Sequence, residues 1–177
     1  MIRRNRKPFS LPIVAVLILW TALNACAETA TVDGRTWTFT VTDSEEATIT
    51  GVSPKTGRLA IPSHLVARRD PMVVVPVTRI GSWAFDDCVE LTSVVIPEGV
   101  VDVGAYAFSG CTGLKSVSIP SSVATIEYDA FYACIGLTDV YITDLANWCA
   151  VSFAGWDANP LYYAKHLVER ETKRTSA

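Results

Sequence analysis

The sequence is poor in the residues from which active sites are made. It has two histidines, His64 and His166, and neither falls in an HExxH zinc motif or beside a GxSxG nucleophile elbow. It has no C-x₂-C pair to start a zinc site and no glycine-rich phosphate loop. Its adjacent acidic pairs, Glu45-Glu46 and Asp86-Asp87, read as turn neighbours whose carboxylates diverge. A glycosidase needs two carboxylates facing each other across a bond, roughly 5–9.5 Å apart. These absences argue against an enzyme and predict no catalytic residue, no metal and no cofactor. Charge is also scarce, at 19% of residues, whereas 50% are hydrophobic. Such a chain can bury a core, which excludes wholesale disorder.

Positive charge is scarce in the body of the chain. Four of the 15 basic residues are Arg3, Arg4, Arg6 and Lys7; without them 11 face 18 acidic residues, a balance of −7. An acidic body is a poor phosphate binder, so nucleic acid is excluded as the expected partner.

Long apolar runs are missing too. The longest, Ile13–Leu23, has about eleven residues, against the roughly 20 that cross a bilayer. It follows the basic residues and precedes Ala25-Cys26-Ala27, the small-residue site of a secretory signal peptide. Residues 1–27 are therefore expected to be cleaved, leaving a soluble exported chain with no membrane span. Two other fates stay open: Leu23-Asn24-Ala25-Cys26 resembles a lipobox, which would anchor the chain through Cys26, or the segment is retained as an anchor. Each of them places the folded part outside the cytoplasm, secreted or at the cell surface.

What the sequence does have is a period of 23. Six columns are identical in three successive copies: Ala84/Ala107/Ala130, Phe85/Phe108/Phe131, Cys88/Cys111/Cys134, Leu91/Leu114/Leu137, Val94/Val117/Val140 and Ile96/Ile119/Ile142. In LxxVxI the Val and Ile alternate as in a short strand with one buried face. Pro97 and Pro120 end that strand, since proline donates no ladder hydrogen bond. A unit this short closes no core alone, so like units must stack Phe on Phe and Leu on Leu. The expected fold is a repeat solenoid with a parallel sheet along one face. The cysteine column reads as buried thiols packing as small hydrophobes. A disulfide between neighbouring turns stays open on spacing alone, and Cys149 is isolated.

The wording IGSWAFDDCVELTSVVIPEGV, and VGAYAFSGCTGLKSVSIPSSV after it, resembles the BspA-like leucine-rich repeats of bacterial surface proteins. TWTFTVTDSEEATITGV is similar to the hairpin that opens such proteins, and DLANWCAVSFAGWDANPLYYA to an irregular unit that interrupts or ends their arrays. The resemblance implies a right-handed leucine-rich-repeat superhelix with a concave sheet. It implies a secreted or surface-attached protein that binds other proteins or mediates adhesion, and it brings no catalytic residues.

The expected organisation is a signal peptide over 1–27, an N-terminal β-hairpin cap over 28–56 and a degenerate first repeat over 57–79. The hairpin itself reads over 35–52. In the degenerate repeat, twelve inserted residues form a longer loop carrying Arg68 and Arg69. Repeats follow over 80–143, then an irregular helical unit over 144–164 capped by Asp144, and a polar tail over 165–177. The candidate partner-binding residues point away from the core on the repeat strands: Ser93 and Val95, Ser116 and Ser118, Asp139 and Tyr141. Thr92, Lys115 and Thr138 flank them. The expected partner is an extracellular protein or cell-surface ligand. Tyr141 is the outward aromatic and the expected hot spot. The alternative is a structural or truncated repeat protein that self-associates through the edge left after Ile142.

Overall fold

The computed structural model describes residues 27–67 and 72–170. The signal-peptide reading, the lipobox and the pair Arg68-Arg69 lie outside these residues. Among the described residues thirteen strands form two sheets. The antiparallel start comprises β1 (Glu28–Val32), β2 (Arg35–Val41) and β3 (Ala47–Ser53). In β2, Trp37, Phe39 and Val41 are buried and alternate with threonines, as the expected hairpin requires. Strand β1 extends the expected hairpin to three strands.

The next segment alternates between sheets. Strand β4 (Gly57–Ala60) belongs to the second sheet, whereas β5 (His64–Ala67) and β6 (Val73–Ile80) pair antiparallel. The expected longer loop is thus a second hairpin. Its inward residues Leu65, Ala67, Val75 and Val77 alternate with exposed ones, which gives the insertion its own buried face. β6 then runs parallel to β3, joining the cap to the repeats.

Each regular rung contributes a long strand to one sheet and a two-residue strand to the other. The long strands are β7 (Leu91–Val95), β9 (Ser116–Ile119) and β11 (Asp139–Ile142). The short ones are β8 (Asp102–Val103) and β10 (Thr125–Ile126). The irregular unit adds helix α1 (Leu145–Ala150) and strand β12 (Ser152–Phe153). As expected, the Asp144 carboxylate caps the helix, accepting from the Asn147 N–H at 2.8 Å. Strand β13 (His166–Glu169) then lies parallel to β11 in unbroken register. The segment read as a polar tail therefore contains a strand, and the edge after Ile142 is covered. The five-stranded sheet runs β4-β7-β9-β11-β13; the eight-stranded sheet runs β1-β2-β3-β6-β8-β10-β12, with β5 attached to β6.

The core between the sheets is built from the repeated columns. Phe108 stacks between Phe85 at 5.0 Å and Phe131 at 5.2 Å, each pair within 11° of parallel. The cysteine column is buried and unbridged at Cys88, Cys111 and Cys134, and Cys149 is exposed. The thiols of Cys111 and Cys134 each donate to a carbonyl of the preceding rung, Phe85 O and Phe108 O, both at 3.1 Å. Burial pushes the Cys134 thiol up to about 12, so it stays protonated at neutral pH. Rungs approach so closely that a Cβ on Gly113 would run into the Val89 carbonyl oxygen.

The turns between the short and long strands are laddered as well. Trp83 N–H donates to Ala105 O, Phe85 N–H to Ala107 O and Asp87 N–H to Ser109 O, at 2.8–3.1 Å. The next rung repeats this from Tyr106, Phe108 and Gly110. Each turn passes through the left-handed conformation at two places: Trp83, Tyr106 and Asp129 at the first, Asp87, Gly110 and Ala133 at the second. For a bulky Trp or Tyr this conformation is costly, and rung-to-rung hydrogen bonding holds it in place.

Candidate functional site

Strand register sorts the outward side chains of the five-stranded sheet into two rows. One row is Arg58, Ser93, Ser116, Asp139 and His166; the other is Ala60, Val95, Ser118, Tyr141 and Val168. The six predicted strand residues therefore do share one face, two per strand, between columns of buried Val and Ile. The face spans five strands rather than three, because β4 and β13 extend it. At about 4.8 Å per strand it offers a strip of roughly 300–400 Å², still below the about 800 Å² per partner of a standard interface.

The middle of the strip is plain. Ser93, Ser116 and Ser118 are half-buried and Val95 is exposed, so nothing bulky rises above the sheet there. Thr92 and Lys115 are exposed along its side, as expected for flanking positions. Thr138 serves the structure: its one hydroxyl proton has Lys115 O at 3.0 Å and Asp139 Oδ2 at 2.6 Å as acceptors, the carboxylate being the nearer.

The β11–β13 end is already partnered. The Thr138 hydroxyl holds the Asp139 carboxyl below its usual range against the cost of burial, and His166 adds to the effect through Nδ1, 3.1 Å from Oδ1. The Arg170 guanidinium sits over the Tyr141 ring, 3.9 Å from its centroid. Tyr141, expected as the outward aromatic of its rung, is covered on one face by Arg170. Sequence reading missed Arg58, His166, Val168 and Arg170 because β4, β13 and the residue after β13 carry almost none of the repeat pattern.

The turns hold a second constellation. Trp83 stacks on Tyr106 at 4.0 Å and 6°, and Tyr106 meets Tyr128 edge-on at 5.8 Å. Trp83 and Tyr128 are 54% and 50% exposed, too much for core residues. Beneath them Asp129 and Asp157 are buried, and Oδ1 of each has no hydrogen-bond partner. Burial, then the neighbouring Asp157 carboxyl, push Asp129 up, while the Tyr106 hydroxyl opposes the shift. One signal for this group was in the sequence: Trp83 and Tyr106 occupy one column of the period, immediately before the invariant Ala.

Among the described residues no group of three or more His, Cys, Asp or Glu could hold a metal ion. No helix among them is long and apolar enough to cross a membrane.

Residues 75–156 match the BspA type Leucine rich repeat region, in six copies. A leucine-rich repeat protein from Bacteroides capillosus superposes with a TM-score of 0.62 at 23% identity, over 80% of this chain and 98% of that one. The leucine rich repeat protein of T. pallidum gives 0.54 at 26% identity, over 69% and 63%. A leucine rich cell surface protein from Faecalibacterium prausnitzii gives 0.54 at 25% identity, over 80% of this chain and 42% of that one. No curated protein matches the sequence. The stacked Phe, Cys and Leu columns, the two laddered sheets and the matched span lead to one conclusion: residues 75–156 are a BspA-type leucine-rich repeat region, folded as the short solenoid of the bacterial leucine-rich repeat proteins.

Proposed function

We propose that this protein is a secreted or surface-exposed, non-enzymatic binding module that recognises an extracellular protein through the outward face of its five-stranded sheet. Leucine-rich repeats of this type fit a protein-binding or adhesion-type module, and solenoids commonly bind through their extended sheet. The observation that carries the reading is the low strip of Ser93, Val95, Ser116 and Ser118, flanked by charged and aromatic groups on β11 and β13. A partner lying there meets short, partly exposed side chains and displaces no core residue. Surface location is supported by the likeness to a leucine rich cell surface protein and by the signal-like N-terminus. Mass spectrometry of the exported protein should find Glu28 first; a lipidated Cys26 or an intact Met1 would replace release by anchoring.

The binding test is capture of extracellular proteins and glycans by the exported chain, repeated with the double variant Ser116→Arg/Ser118→Arg. The variant should keep its circular dichroism and lose at least about tenfold in affinity. Unchanged capture would remove the sheet face from the account.

A second reading, self-association through the end of the array, is favoured by β13. All four of its residues are exposed, and no described strand pairs with its outer edge. Sedimentation should then show concentration-dependent dimers; a monomer at all concentrations rejects this reading.

A further inference from the structure

The turn side of the solenoid differs in charge from the sheet face. Its segments 81–89, 104–112, 127–135 and 154–163 contain Asp86, Asp87, Glu127, Asp129 and Asp157 but no Lys, Arg or His. Two cations from outside the turns lie at their edges: Lys55 acts on Cys88, and Arg79, paired with Asp102, lines a cleft with Ser82 and Glu127. Along the same turns runs the continuous aromatic contact Trp83–Tyr106–Tyr128. Both ends of that run are half exposed. The Asp129 carboxyl lies against the Tyr106 and Tyr128 side chains, with its Oδ1 and that of Asp157 buried and unpartnered.

We infer that this ridge is a second interaction surface, distinct from the sheet face and independent of it, and that its occupant is an arginine-rich segment of a partner protein. Aromatic faces attract cations, and a planar guanidinium stacks on them better than an ammonium. The exposed Asp87 and the half-buried Asp86, in the same turn as Trp83, supply the charge that a guanidinium seeks, and the turns themselves contain no basic residue to offset it. The chain already makes this contact once, where Arg170 covers Tyr141 on the other side of the molecule. A neutral glycan would use the rings but gain nothing from the carboxylates. An acidic partner would be repelled by them.

The probe is a labelled hexa-arginine peptide titrated against the full exported chain, with fold checked by circular dichroism. Saturable binding is expected, with none for hexa-glutamate. Tyr128→Ala and Trp83→Ala should each weaken it about tenfold. Asp87→Asn should weaken it too, and asparagine tolerates the left-handed conformation at that position. Glu45→Gln, in the remote hairpin turn, and Ser116→Arg/Ser118→Arg, on the sheet face, should leave it unchanged. Unchanged capture of extracellular partners by Ser116→Arg/Ser118→Arg, with hexa-arginine binding intact, would reject the sheet reading alone. Equal affinity in Tyr128→Ala, Asp87→Asn and Glu45→Gln would reduce the attraction to net charge and overturn the ridge. Tighter binding of a neutral oligosaccharide than of hexa-arginine would also overturn it.

Discussion

The regular rungs and the irregular unit after them solve one problem by different means. In the regular turns the Asp87 and Gly110 N–H groups each find a carbonyl of the next rung, Ser109 O and Tyr132 O. The equivalent Ala133 N–H finds no such carbonyl, because the following segment is helix α1 and a 3₁₀ turn. It donates instead to the Tyr163 hydroxyl at 3.0 Å. The register survives this change. Ser116 pairs with Asp139 after 23 residues, and Asp139 with His166 after 27. Glu169 on β13 also accepts from the Leu145 N–H at 3.0 Å, tying the new strand to the helix start. Backbone laddering sets the pitch of this solenoid, and consensus side chains are one of several ways to fill the space it encloses.

That comparison breaks most visibly in the regular rungs. Phe108→Ala removes the central ring of the stack and should cost about 3–5 kcal/mol in denaturant unfolding. A short array with few turns has little reserve, so unfolding near room temperature is the expected extreme. In the irregular unit a single hydroxyl stands in for a backbone carbonyl. Tyr163→Phe leaves the Ala133 N–H without its partner and should cost about 1–3 kcal/mol, with the ring contact to Tyr162 kept. Equal stability of Tyr163→Phe and the parent would show that the hydroxyl is not the replacement acceptor.

The smallest effect concerns how the irregular unit docks on the last rung. The Asp129 pKa is raised by burial and by Asp157. A raised carboxyl contributes stability that is full below the ordinary carboxylate range and is lost as pH rises through the raised value. Asp157→Asn removes the like charge and can donate to Asp129. The loss of stability as pH rises above the ordinary carboxylate range should therefore shrink in the variant. Parallel pH profiles for the two proteins would mean the carboxyls do not interact.

Legibility in the sequence followed the same division. The Phe, Cys, Leu, Val and Ile columns announced the rungs, the buried thiols and the outward Ser and Val positions, because a stacked core demands like residues at like places. β13 was hidden because His166-Leu167-Val168-Glu169 lies at the end of the sheet and is exposed along its whole length, so no buried column marks it. The second hairpin was hidden by Pro76 within β6, a residue that ordinarily argues against a strand; it faces His64 on the β5 side, away from the laddered rungs. The Arg170–Tyr141 contact joins residues 29 positions apart through an irregular turn, a separation that no period of 23 could indicate.

Amide hydrogen exchange across residues 164–170 tests most directly whether the ladder continues past the last regular rung. Lys165 and His166 N–H donate to Thr138 O at 2.9 and 3.0 Å, and Arg170 N–H to Ile142 O at 2.8 Å. These amides should exchange far more slowly than an unstructured chain, and Tyr163→Phe should speed them without exposing Val117 or Val140. Exchange at unprotected rates in the parent protein would show that the solenoid ends at Ile142 and would contradict the account.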